Sequence, residues 1–172
     1  ASVLIFPDEF SRSTGRLRAD SVNLEEFRMF LPEYIAELNP TIDFETVLQG
    51  DSLHTQVTVT RENQRGDLVF HTGTVSGFLD STRTEPPGYN AEINLSHIVL
   101  ADWLDNPELD IVLNGVSRLD GVGIESENTE LNLKSDLSGT VIEHLPIPVF
   151  NLDLAYNRGD IGGQIDMESS FG

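Results

Sequence analysis

Cysteine is absent from this 172-residue chain. That excludes disulfide scaffolds, thiolate metal sites and cysteine nucleophiles together. It suits a periplasmic or cytosolic protein better than a small secreted domain that needs covalent staples. Basic residues are scarce, with 10 Lys plus Arg against 29 Asp plus Glu, a formal charge of −19. Nucleic-acid binding runs on Lys and Arg displacing counterions, so a phosphate backbone is excluded as a partner. An anionic membrane surface is disfavoured on the same ground. No apolar run approaches the ~20 residues of a membrane-spanning helix. The opening Ala1-Ser-Val-Leu-Ile-Phe6 is too short for a signal-peptide core and lacks a basic flank. Patterns begin and stop abruptly at both ends, so the chain reads as a single β-rich piece, residues 1–172, of a longer protein. A targeting or membrane segment is expected outside it.

What is present is alternation. Hydrophobic residues make up 38% of the chain, enough for a core, and most recur with period two. Tyr89, Ala91, Ile93 and Leu95 alternate with Asn90, Glu92, Asn94 and Ser96. Leu53, Thr55, Val57 and Val59 alternate with His54, Gln56, Thr58 and Thr60. Ile42 and Phe44 alternate with Asp43 and Glu45; Leu109, Ile111 and Leu113 with Asp110, Val112 and Asn114. Phe150, Leu152, Leu154 and Tyr156 alternate with Asn151, Asp153, Ala155 and Asn157, and Ile161, Ile165 and Met167 share a face. Further strands are expected at Ser2–Phe6, Gly15–Ala19, Gly66–Val75, Glu130–Ser135 and Ser138–Ile142. Asn63-Gln-Arg-Gly66, Asp120-Gly121 and Asn157-Arg-Gly-Asp160 read as turns. Short connections of this kind make antiparallel meanders. Pro86-Pro-Gly88 closes a longer loop from Ser81, the best place for an interacting insertion.

Two stretches are helical. Leu24, Phe27, Leu31, Tyr34, Ile35 and Leu38 keep helical spacing behind an Asn23 cap, and Leu100–Leu104 makes about one turn before Pro107. Each precedes a strand ending in glycine, Thr41–Gly50 and Glu108–Gly115. This faint recurrence suggests two repeat units, residues 15–87 and 88–172.

Sites for chemistry are poorly signalled. His54, His71, His97 and His144 lack zinc-motif spacing. Asp102, Asp105, Glu108 and Asp110, and Glu125, Glu127 and Glu130, cluster without a calcium-loop pattern. Gly73-Thr-Val-Ser-Gly77 puts its serine one place late for a nucleophile elbow. Asn94-Leu-Ser96 is a formal sequon inside a strand, and the Arg-Gly-Asp at 158–160 fits a hairpin turn. Trp103 and the nine Phe residues are read as core. The expectation is a non-enzymatic protein without cofactor or metal.

A sheet's dry face must be covered by a sheet, a helix or a ligand. Helical material is too scarce here to cover ten strands. The sheet must therefore fold on itself. The expected fold is all-β with one or two short helices, an antiparallel curved sheet forming a U-shaped trough of the β-taco kind. A β-sandwich or jelly roll, serving as a carbohydrate-binding or adhesion module, is the alternative.

The runs Asp110-Ile-Val-Leu-Asn-Gly115, Leu119-Asp-Gly-Val-Gly-Ile124, Thr129–Gly139, Phe150–Tyr156 and Gly163–Ser170, with Ala19–Phe27 and Pro40–Gly50 before them, resemble the large periplasmic region of the TamB/AsmA-like proteins. That family has an inner-membrane anchor and a long periplasmic β-body with an apolar interior. It is implicated in phospholipid movement and, with a BamA-family outer-membrane barrel, in outer-membrane protein assembly. The resemblance implies no catalytic residues. It implies a periplasmic segment shielding acyl chains or nascent outer-membrane strands. The apolar groove candidates are Ile42, Phe44, Ile93, Leu95, Leu109, Ile111, Leu113, Leu131, Leu133, Phe150, Leu152 and Leu154.

Overall fold

The computed structural model describes residues 2–4, 13–23, 40–76, 86–124 and 127–168. The elements are β1 (Ser2–Leu4), β2 (Thr14–Asn23), β3 (Thr41–Gln49), β4 (Ser52–Arg61), β5 (Gln64–Thr72) and β6 (Gly88–Val99). The turn α1 (Leu100–Trp103) follows, then β7 (Ile111–Val122), β8 (Glu130–Asp136), β9 (Thr140–Ile142), β10 (Leu145–Ile147), β11 (Val149–Asn157) and β12 (Asp160–Glu168). All twelve strands join one sheet, in the order β1-β2-β3-β4-β5-β6-β7-β8-β11-β12, with the β9–β10 hairpin attached through β7. Every pairing is antiparallel and the sheet is open, not closed into a barrel. It is the trough class of fold. The sandwich and jelly-roll alternative falls, because the described strands form a single sheet with no second sheet facing it.

The connections explain the meander. Gly50 takes φ +62 at the first position of the two-residue β3–β4 turn, and Arg158 and Gly159 both take positive φ between β11 and β12. These are the primed hairpin conformations whose twist matches the strands. Two expected turns move. Asn63 does sit in the β4–β5 turn, but Gln64, Arg65 and Gly66 already belong to β5. Asp120-Gly121 lies inside β7. Gly121 is there because the Tyr89 ring lies across it: a Cβ at 121 would meet that ring at 2.3 Å. The chain turns instead at Gly123 (φ +78), whose N–H donates to the Pro87 carbonyl at 2.8 Å.

Two strands bend at a β-bulge. In β2 the register slips between Ala19↔Phe44 and Val22↔Ile42. In β6 it slips between Leu95↔Gly115 and Ile98↔Leu113. The second bulged residues, Ser21 and His97, both take φ 55. Ser21 N–H donates to Asp43 Oδ1 at 2.5 Å, and His97 N–H donates to Asn114 Oδ1 at 2.8 Å. An extra residue on one strand raises local twist and bends it, so the bulges are places where the sheet curves.

The expected helix over 24–38 and most of the 81–88 loop lie outside the described residues. Asn23 ends β2. The turn at 100–104 is α1. It is fastened by Gln64, a buried side chain. Gln64 Oε1 accepts from Val99 N–H (2.9 Å) and Trp103 Nε1 (2.8 Å), and Gln64 Nε2 donates to Asp102 Oδ2 (2.7 Å). Arg61 pairs with the same Asp102 oxygen.

Candidate functional site

Directly opposed residues in an antiparallel ladder share a face. The registers can therefore be chained across the whole sheet. Starting at Leu154, the chain of partners runs Leu133, Leu119, Ala91, Phe70, Thr55 and Thr46 to Leu17. One step along, Leu152 leads through Ser135, Ser117, Ile93, Leu68, Val57 and Phe44 to Ala19. The face so defined is apolar from β2 to β12, broken by small residues and hydroxyls and, at the end of the β4–β5 hairpin, by Arg61 and Gln64.

The opposite face is charged. Arg65 and Thr58 both donate to Asp67, at 2.8 and 2.6 Å. Arg118 reaches Glu92 (2.8 Å), Arg16 reaches Glu45 (2.5 Å), Lys134 reaches Asp153 (3.6 Å) and Arg158 reaches Glu130 (3.2 Å). Arg18 pairs with Asp20. Every described Lys and Arg is thus ion-paired, and the surplus is acidic. The Arg65 guanidinium, helped by Thr58, holds the Asp67 carboxyl below the usual carboxylate range. Arg118 and Asn94 do the same for Glu92. On the apolar side, burial pushes the Tyr89 phenol up, and its hydroxyl donates to the Gly123 carbonyl at 3.0 Å.

Of the groove candidates, Ile42, Phe44, Ile93, Leu95, Ile111, Leu113, Leu131, Leu133, Phe150, Leu152 and Leu154 fall on the apolar face. Leu109 does not belong with them. It precedes β7, which starts at Ile111, and lies in the turns after α1, so the sheet's alternation does not reach it. Asp110 likewise lies outside the strand, where its carboxylate pairs with His144. The candidate set omits Val57, Leu68, Phe70 and Leu119, which continue the same face through the middle strands. The alternation in β4 already signalled Val57.

Among the described residues little covers this face. Among the described residues only Ala91 and Ile147 are buried hydrophobics. Most of the large apolar side chains are half-buried against one another, and Leu17 (41%) and Ile93 (36%) are exposed in the body of the sheet. On β12 exposure climbs to 77% at Ile161, 63% at Ile165 and 59% at Met167. A hollow of about 440 Å³ lies on the charged side, lined by Arg118, Lys134, Asn151, Asp153, Gln164 and Asp166 among others. Within it Lys134 pairs with Asp153 and Gln164 donates to Asp166, while Arg118 is held by Glu92 beside it.

The histidines stand apart from one another except His54 and His71, cross-strand neighbours on the charged face with ring centres 6.3 Å apart. Among the described residues no three His, Asp or Glu side chains converge as a metal cluster, and no helix is long and apolar enough to cross a membrane. Ser76 is buried, its hydroxyl donating to Asp51 at 2.5 Å as a latch between loops. Trp103 is half-buried against the Gln64 clasp. No family model matches the chain, and neither a curated protein nor a solved structure matches it.

Proposed function

We propose that this chain is a non-enzymatic, periplasmic shielding segment that carries apolar cargo along its sheet. The cargo is phospholipid acyl chains or the apolar face of a nascent outer-membrane protein strand. The parent protein would be inner-membrane anchored and work with a BamA-family barrel, as the TamB/AsmA-like resemblance suggests. One observation carries the reading: a continuous apolar face across nine hydrogen-bonded strands, in an open sheet, with two buried hydrophobic side chains among the described residues. A soluble protein rarely leaves so large an apolar patch bare unless something lies on it.

The mechanism is passive. Each methylene of a guest removed from water contributes ~0.8 kcal/mol, and an alkyl chain asks for no hydrogen bonds from the wall. Val, Leu, Ile and Phe side chains offer that surface without fixing a position, so the guest can slide. The paired charges of the far face keep the sheet soluble.

The test is delivery. A phospholipid with a fluorophore on its acyl chain is supplied from donor vesicles. Blue-shifted, saturable emission on adding the protein is the expected result. Transfer no greater than to an all-β control protein of equal charge would refute the proposal.

A further inference from the structure

Two of the four histidines meet across strands. His54 on β4 and His71 on β5 are directly opposed in the antiparallel ladder. Their ring centres are 6.3 Å apart and the rings are tilted by 51°. Both side chains are half-buried, and both stand on the charged face, away from the apolar one. Among the described residues neither ring has a hydrogen-bond or carboxylate partner, whereas His144 pairs with Asp110. The shielding face makes no use of either ring.

The surroundings suit a cation. Along the same row the next partners are Val47 on β3 and Asn90 on β6, followed by Arg16 and Asp120. One row over lie Glu45, Gln56, Val69 and Glu92. Arg16 is engaged by Glu45, and Arg118 by Glu92. Carboxylates therefore outnumber cations around the pair, and the cations are already neutralised. The flank at Gly73 is open, since a Cβ there would meet nothing within 4 Å.

Two imidazoles on one ion, at the ordinary zinc–nitrogen distance of ~2.0–2.1 Å, have ring centres about 5 Å apart at a tetrahedral angle and about 6 Å apart when opposed. The separation here falls at the wide end of that range. Directly opposed strand positions hold their Cβ atoms ~4.5–5.5 Å apart, so side-chain rotation alone closes the pair on an ion. We infer that His54 and His71 form a two-histidine chelate for a divalent transition ion, Zn²⁺ or Cu²⁺. Imidazole nitrogen selects that class over Ca²⁺ and Mg²⁺, which want oxygen ligands. Among the described residues no third His, Asp or Glu converges on the pair, so water completes the coordination from the open flank. The ion ties β4 to β5 and stabilises the folded chain, which alone presents both rings together. Spacing in sequence hides the pair, because only the β4–β5 register brings the rings together.

The experiment titrates Zn²⁺, Cu²⁺ and Ca²⁺ separately into the untagged whole chain, stripped beforehand with a chelator, and follows the heat. It uses no lipid and probes the opposite face, so it does not depend on the shielding proposal. One-to-one binding of Zn²⁺ with micromolar Kd, tighter binding of Cu²⁺ and none of Ca²⁺ are expected. His54→Gln and His71→Gln should each weaken Zn²⁺ binding at least tenfold, while the double variant His97→Gln/His144→Gln binds as the parent chain does. Nuclear magnetic resonance of the parent reads the site without any substitution: Zn²⁺ should shift the ring signals of His54 and His71 together and spare those of His97 and His144. Absence of saturable binding overturns the inference. So does binding that either single variant leaves unchanged, or ring shifts spread over all four histidines, which would show an adventitious ion only.

Discussion

At the scale of single residues, a few side chains do what apolar packing does in a two-layer protein. Gln64 satisfies a backbone amide, an indole N–H and a carboxylate at once, and so pins α1 across the end of the β4–β5 hairpin. Gln64→Ala leaves two half-buried donors without that acceptor, each costing about 1–3 kcal/mol. The urea midpoint should fall accordingly; a loss below about 0.5 kcal/mol would show that water replaces the amide. Glu62 works the other way. It takes φ 55 in the two-residue β4–β5 turn, a conformation that disfavours an L side chain. Glu62→Gly should stabilise by up to about 1 kcal/mol, strain relief exceeding the added chain entropy, and an unchanged or lower midpoint would count against the strain.

At the scale of elements, cross-strand pairs decide how the strands behave. Asp67 is held acidic by Arg65 and Thr58, Glu92 by Arg118 and Asn94, and Asp136 by the Ser138 hydroxyl and amide. A carboxyl whose folded pKa is lowered contributes stability that is complete above its unfolded value, about 4, and lost as pH falls through the folded value. Chemical unfolding measured from pH 5 to 2 should show that loss, and Asp67→Asn should flatten part of it; identical slopes in both proteins would contradict the pairing. The strands were legible because alternation survives in single segments: β3, β4, β6 and β11 stand where the pattern puts them. What escaped depends on partners distant in sequence. The bulges at Ser21 and His97 need an acceptor on the next strand, and Gly121 needs the Tyr89 ring. β10 holds Pro146 in a three-residue strand that, among the described residues, pairs only with β9, where a missing donor is tolerated. Leu109 alternates in sequence with Ile111 but falls before the ladder begins.

On the scale of the whole molecule, acidity and apolarity are one fact with two sides. Among the described strands the acids outnumber the cations on one face, and those cations are all engaged, while the reverse of the sheet is largely apolar. That sidedness was visible in the alternation; its continuity over nine strands was not, because it depends on registers that only the hydrogen-bonded ladder fixes. Ile93 sits near the middle of this surface and is 36% exposed. A carboxylate there stays hydrated while the face is bare, but must lose water when an alkyl chain covers it. Ile93→Asp should therefore fold yet carry less lipid. The most direct measurement is to purify the chain and the Ile93→Asp variant from cells, extract both, and count phospholipid per protein by mass spectrometry. Near-stoichiometric phospholipid on the chain, reduced several-fold on a variant with unchanged circular dichroism, is the predicted result. Chain and variant alike free of lipid, or equally loaded, would contradict the account.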